Sequence, residues 1–177
     1  VKYFLPEVKG FIDIGCNTGL YCCVAASLCP ENGVVHAFDP QKECIDTLKQ
    51  TISLNRWDKR LYAHNYGIGK KRSKLQLQLS GTGSTLNPDS SLPHREVEVI
   101  SLDEWIQDNP LDNVDFIKVG VEGYELDVLK GSEATIKSFK PVIFIEIAKR
   151  FSSRNFINQD YQITLNWFKK NEYCVKR

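Results

Sequence analysis

Apolar and polar positions change rhythm several times along the chain, and each change marks an element. Gly10-Phe11-Ile12-Asp13-Ile14 is a short apolar run that predicts a strand ending at Gly15. Leu20, Cys23, Val24, Ser27 and Leu28 then fall on one face at helical spacing, and Pro30 and Gly33 end that helix. Val34 to Phe38 predicts a second strand ending at Asp39. Pro40 can open a second helix, with Ile45, Leu48 and Ile52 as its inner stripe. A third strand is expected around Leu61 to Asn65. Strands alternating with helices predict a parallel sheet covered on both faces.

The middle of the chain has a different period. Leu75, Leu77 and Leu79 alternate with Gln76 and Gln78, and Glu96-Val97-Glu98-Val99 repeats the pattern, so these strands meet water on one face. The segment between them, Ser80 to Arg95, is rich in Gly, Ser and Pro. Residues 73–100 therefore read as an antiparallel excursion off the main sheet. Ser101-Leu102-Asp103-Glu104 predicts a capping box opening a short helix through Ile106. Val114 to Val119 is the expected fourth strand, and Glu125 to Leu129 a helix that Gly131 closes as a left-handed cap, with Ser132 capping the next turn. Val142-Ile143-Phe144-Ile145 is apolar throughout, as a central strand buried on both faces would be. A last helix is expected over Tyr161 to Lys170 with Tyr161, Leu165 and Phe168 inward, and Tyr173-Cys174-Val175 begins one more strand.

Composition narrows this picture. A length of 177 residues suits a single domain, 1–177. Twenty-three basic and 22 acidic residues leave a net charge of +1, so no nucleic-acid partner is expected. No apolar run reaches the ~18 residues of a membrane span, and Val1 to Glu7 is too short and polar for a signal peptide. The six cysteines contain no CxxC pair and read as reduced, small apolar residues of a cytoplasmic protein. Three histidines without ligand spacing argue against zinc; a carboxylate-bound magnesium stays open, and no metal ligand is assigned.

The chemistry concentrates at strand ends. In Asp13-Ile14-Gly15-Cys16-Asn17-Thr18-Gly19, Gly15 permits a sharp bend and Gly19 lets the helix start close to the strand. The free N–H groups of that helix start suit an anionic group. Asp39, followed by Pro40, stands where a nucleotide-binding sheet places an acceptor for ribose hydroxyls. A dinucleotide fingerprint would need glycines at Asn17 and Leu20, and an NAD-linked oxidoreductase is disfavoured on that ground. S-adenosylmethionine carries no phosphate and tolerates Asn17. The expected cofactor-binding set is Asp13, Gly15, Asn17, Thr18, Gly19, Asp39 and Pro40. A second cluster, Lys118, Glu122 and Glu125, crowds the end of the fourth strand, either as a substrate edge or as a salt-linked turn.

Taken together, Phe11 to Gly19, His36-Ala37-Phe38-Asp39-Pro40, Leu54-Asn55, Ser101-Leu102-Asp103, Phe116-Ile117-Lys118, Val121 to Glu125, Leu129-Lys130-Gly131 and Lys140-Pro141-Val142-Ile143 through Glu146 resemble the FkbM family of methyltransferases. The resemblance spans about residues 10 to 147. It implies a Rossmann-like class I methyltransferase fold and methyl transfer from S-adenosylmethionine to an oxygen of a small-molecule or sugar acceptor. The family usually reads Ile-Lys-Ile-Asp-Val-Glu-Gly, and Gly120 stands here at the position of that Asp. In class I methyltransferases an acidic or polar residue there lies beside the reacting methyl. Two readings follow: another group serves, or the chain binds cofactor with weak or no turnover and acts through a partner. The expected catalytic set is Glu122, Glu146 and Lys118, with His94 as a further base candidate and Thr82 to Thr85 as a lid or a linker. The family sheet closes with an antiparallel strand pair of which only the first strand is visible here, so a shortened C-terminus and a homodimer covering the sheet edge are both expected.

Overall fold

The computed structural model describes residues 3–78, 86, 94–151 and 156–174. Its strands are β1 (Gly10–Ile14), β2 (Val34–Phe38), β3 (Leu61–His64), β4 (Gly67–Ile68), β5 (Ser73–Gln78), β6 (His94–Ile100), β7 (Phe116–Val119), β8 (Val142–Ile145), β9 (Arg150–Phe151) and β10 (Phe156–Ile157). Its helices are α1 (Leu20–Leu28), α2 (Lys42–Leu54), α3 (Leu102–Asp108), α4 (Glu125–Lys130), α5 (Glu133–Phe139) and α6 (Tyr161–Lys170). The main sheet is parallel, in the order β3-β2-β1-β7-β8. The chain thus adopts a doubly wound, Rossmann-like fold. One apolar layer packs α1 and α2 on the sheet, through Phe11, Ala25, Ile45, Leu48 and Phe116; the other packs α3 to α6 through Ile12, Ile117, Trp105 and Phe168. The excursion forms its own sheet, with β5 antiparallel and β4 parallel to β6.

Several sequence expectations need correction. The buried side of α1 is Cys22, Ala25 and Ala26, whereas Leu20 is 73% and Leu28 39% exposed. Small side chains let this helix lie close against β1, and that closeness outweighs the larger apolar residues. Gly131 ends α4 with φ −84°, which is not left-handed. It is glycine because a Cβ there would stand 1.8 Å from the Gly69 carbonyl oxygen, where the excursion crosses α4. The start of α5 is capped by Asp103, whose carboxylate accepts the Ala134 and Thr135 N–H groups at 3.0 and 2.8 Å; the Ser132 hydroxyl instead donates to Val128 O. On α6 the fully buried residues are Thr164, Trp167 and Phe168, with Tyr161 and Leu165 half-buried.

β8 is the outer strand of the main sheet among the described residues, not a central one. Its apolar run does face both sides, but Val142 and Phe144 remain 45% and 40% exposed. Tyr173 and Cys174 are not in a strand. Leu79, Thr82 to Thr85 and Val175 lie outside the described residues. All six cysteines are free thiols.

Candidate active site

Parallel pairing brings three strand ends to one edge. Ile14 aligns with Phe38 on one side and Val119 on the other, so Gly15, Asp39 and Gly120 are neighbours. The Gly15 and Cys16 N–H groups both donate to Phe38 O, and Gly120 N–H donates to Ile14 O at 3.0 Å. Gly15 has φ +72°, and a Cβ on it would stand 2.0 Å from Gly120 O. Only glycine satisfies both the left-handed backbone and that approach.

Asp39 organises the turn above. Its Oδ2 accepts the Asn17 N–H at 2.9 Å and its Oδ1 the Gln41 N–H at 2.8 Å. Asn17 is left-handed at φ 51°, a conformation asparagine tolerates, and its Oδ1 accepts the Thr18 N–H at 2.6 Å. Burial pushes the Asp39 carboxyl above its ordinary range, and the two N–H donors pull it back.

Beneath the turn lies a buried ion pair. Asp13 is 0% exposed; its Oδ2 accepts the Cys22 N–H at 3.1 Å, tying α1 to β1. Lys118 Nζ stands 3.1 Å from Asp13 Oδ1 and donates to Gly15 O at 2.7 Å. Burial raises the Asp13 carboxyl and the Lys118 charge opposes it. The ammonium also sits 5.3 Å over the Tyr21 ring. A Cβ at position 120 would lie 3.0 Å from that Nζ, so Lys118 fills the space beside Gly120.

A cleft opens over this edge. Gly15, Asn17, Asp39, Pro40, Gly120 and Glu122 line it on one side, and Phe38, Tyr66, Ile68, Leu77 and Leu86 supply an apolar wall. Of the expected cofactor set, Gly15, Asn17, Asp39 and Pro40 reach the cleft. Asp13 lies under it, Gly19 is the φ 102° cap of α1, and Thr18 faces solvent. Of the expected catalytic set, Glu122 lines the cleft, Lys118 lies below it in the pair with Asp13, and Glu146 is exposed just past β8. His94 is exposed at the start of β6, far along the excursion. The apolar wall was not anticipated; its one signal in β5 is Leu77, which lines the cleft, whereas Leu75 is half-buried outside the lining and Gln78, expected to meet water, is buried. Among the described residues no group of three or more metal-ligating side chains gathers.

A Rossmann-like sheet with its cleft over the ends of the β1 and β2 strands, an acid after β2 and a turn built on Gly15 defines a class I methyltransferase architecture. The model of the methyltransferase FkbM domain matches residues 13–175, and the chain belongs to that family. It is 27% identical over 132 residues to the hexuronic acid methyltransferase AglP of Haloferax volcanii, covering 74% of this chain and 53% of the relative. It is 24% identical over 149 residues to methyltransferase 1 of Beauveria bassiana, covering 71% and 59%. The chain therefore spans little more than half the length of these relatives. A methyltransferase FkbM from Methylobacillus flagellatus superposes with a TM-score of 0.64 at 18% identity, over 94% of this chain and 38% of that one. No helix among the described residues is long and apolar enough to cross a membrane.

Proposed function

We propose that this chain binds S-adenosylmethionine in the cleft above Gly15 and transfers its methyl group to an oxygen of a small molecule or sugar. One observation carries the reading: the described cleft lining holds two carboxylates, Asp39 and Glu122, and no lysine or arginine. Such a lining suits a cationic ligand and would repel a pyrophosphate. The residues present fit the cofactor. Each Asp39 oxygen already takes one N–H and keeps a lone pair for a ribose hydroxyl. Tyr66 and Leu86, half-buried in the cleft lining, offer apolar surface to a purine. Gly15 and Asn17 bring backbone groups to the amino-acid end.

The cofactor supplies an already electrophilic methyl on sulfur. What remains for the chain is alignment of the acceptor oxygen and removal of its proton. Glu122, on the cleft wall, is the general base in this reading; Glu146, whose backbone N–H donates to Val119 O, stands outside the lining and is the second candidate. Asp13 and Lys118 hold the shape of the floor. The hexuronic acid methyltransferase among the relatives makes a uronic acid sugar the first acceptor to try. In this reading the protein works in the cytoplasm, as a homodimer formed across the exposed Val142 and Phe144 edge. A monomer in sedimentation would remove that last element.

Calorimetry with S-adenosylmethionine, S-adenosylhomocysteine and NADH tests the cofactor, and absence of heat with the first two sinks the reading. A panel of neutral sugars and uronic acids, read for methylated product, tests the acceptor.

Gly120 favours a second reading, binding with little or no turnover and action through a partner. Here Gly120→Asp separates the two. A carboxylate at position 120 would sit against the Lys118 ammonium and draw it from Gly15 O. Cofactor binding without transfer in the parent chain, together with transfer in the variant, supports the impaired reading. Transfer by the parent chain excludes it.

A further inference from the structure

Glu125 is a buried carboxylate that neither the cofactor nor the acceptor reading uses. It is 1% exposed and opens α4. Its Oε1 accepts the Gly123 N–H at 2.7 Å, and its Oε2 accepts Asn158 Nδ2 at 3.2 Å. No cation pairs with it among the described residues, and burial lifts its carboxyl above the ordinary range. A charge buried without a counter-charge is costly, and stability alone would favour an apolar or neutral residue here.

The bonds of Glu125 lead on one side to the turn behind the cleft wall and on the other to the stretch before α6. The Gly123 N–H closes the turn after β7, where Glu122 and Gly123 are left-handed at φ 52° and 99°. That turn carries Gly120, Val121 and Glu122 on the cleft wall. Asn158, itself 4% exposed, gathers the chain before α6. Its backbone N–H donates to Lys149 O at 3.1 Å, and its Oδ1 accepts the Asp160 N–H at 3.0 Å at the start of α6. Lys149 and the start of α6 are thus fastened to the β7 turn through one carboxylate and one amide.

We infer that Glu125 and Asn158 form a clasp that positions the Gly120 to Glu122 wall for cofactor binding. Glu125 is a positioning residue: it acts through the Gly123 amide and touches no ligand. The inference rests on the cofactor reading above.

Polarity makes the clasp testable by exchange. Glu125→Gln sets two amides against each other, so one of the two bonds fails whichever way the amide turns. Asn158→Asp sets two carboxylates together. Combining the two substitutions restores every bond, with donor and acceptor reversed only between positions 125 and 158. The amide then at position 125 can accept from the Gly123 N–H and donate to the carboxylate then at position 158. That carboxylate still accepts the Asp160 N–H, and one buried charge remains.

The experiment measures S-adenosylhomocysteine affinity by calorimetry on the parent chain, both single variants and the double, with amide hydrogen exchange at Gly123. Each single variant is expected to bind at least about tenfold more weakly and to exchange Gly123 faster. The double variant is expected to return within about threefold of the parent chain. Single variants that bind like the parent, even with a lower melting temperature, overturn the clasp. So does a double variant that binds no better than the weaker single. Where a single variant does not fold, the folded double carries the test, and a double without affinity overturns the inference. A parent chain that gives no heat instead sinks the cofactor reading, and the clasp then stands or falls on Gly123 exchange.

Discussion

In the proposed reading Asp39 does two things at once: its oxygens hold the Asn17 and Gln41 N–H groups, and their remaining lone pairs serve the ribose hydroxyls. Asp39→Ala removes both, so S-adenosylhomocysteine affinity should fall by about 1–3 kcal/mol. Titration calorimetry checks this, and an unchanged affinity refutes the ribose role. The place of Asp39 at the cleft was legible in the sequence, because an acid after the second strand is fixed by chain order alone. Asp13 was less legible. It shares a motif with Gly15 and so reads as a ligand contact, yet strand alternation turns it beneath the sheet edge, toward Cys22 and Lys118. Lys118 likewise reads as a cleft residue, and its partner, Asp13, is 105 positions upstream. No local pattern announces a pair of that separation.

Helices and strands were mostly legible where their period was clear. α2 buries Ile45, Leu48 and Ile52 as its stripe predicts. The misreadings fall where a neighbouring element decides. α1 hides its small residues because of how near β1 lies, and α5 takes its cap from Asp103 because α3 packs against it. Gly131 belongs to the same group. Sequence alone assigns it a left-handed cap, whereas the true constraint is the Gly69 carbonyl. Gly131→Ala should therefore destabilise the fold by at least about 1–3 kcal/mol, as overpacking does, although its φ of −84° suits alanine. Urea denaturation measures this. A neutral or stabilising change would mean that the crossing of α4 and the excursion is looser than described.

Over the whole molecule, one internal cluster should govern the acid response. His36 Nδ1 and His64 Nε2 lie 3.1 Å apart between β2 and β3, with Trp105 edge-on and Phe38 stacked on His64. Burial, and then the partner charge, lowers His36 to about 4; burial, with a smaller push from Lys49, does the same for His64. The unfolded chain takes up these protons near pH 6.5, and the folded chain does so only near 4. The pair's contribution is thus full above about 6.5 and is lost as pH falls toward 4. Burial raises Asp13, Asp39 and Glu125 instead, and their effect runs the other way, weakening the fold as pH rises. His64→Gln separates the two trends. Between about pH 7 and 4.5 the parent chain should lose about 2 kcal/mol more than the variant, by denaturant unfolding at each pH. Parallel losses would exclude the pair as the cause.

The described cleft walls come from stretches far apart in sequence: 14–41, 66–77 with Leu86, and 120–122. No single stretch retains the site once the fold opens, so whatever occupies it must report on the global transition. Occupancy at about a hundred times the dissociation constant should add about 2.7 kcal/mol to unfolding. For a chain of this size that is a rise in melting temperature of roughly 5–10 °C. Heat denaturation can therefore sort candidate cofactors and acceptors by plate-based screening before any transferred methyl has been detected.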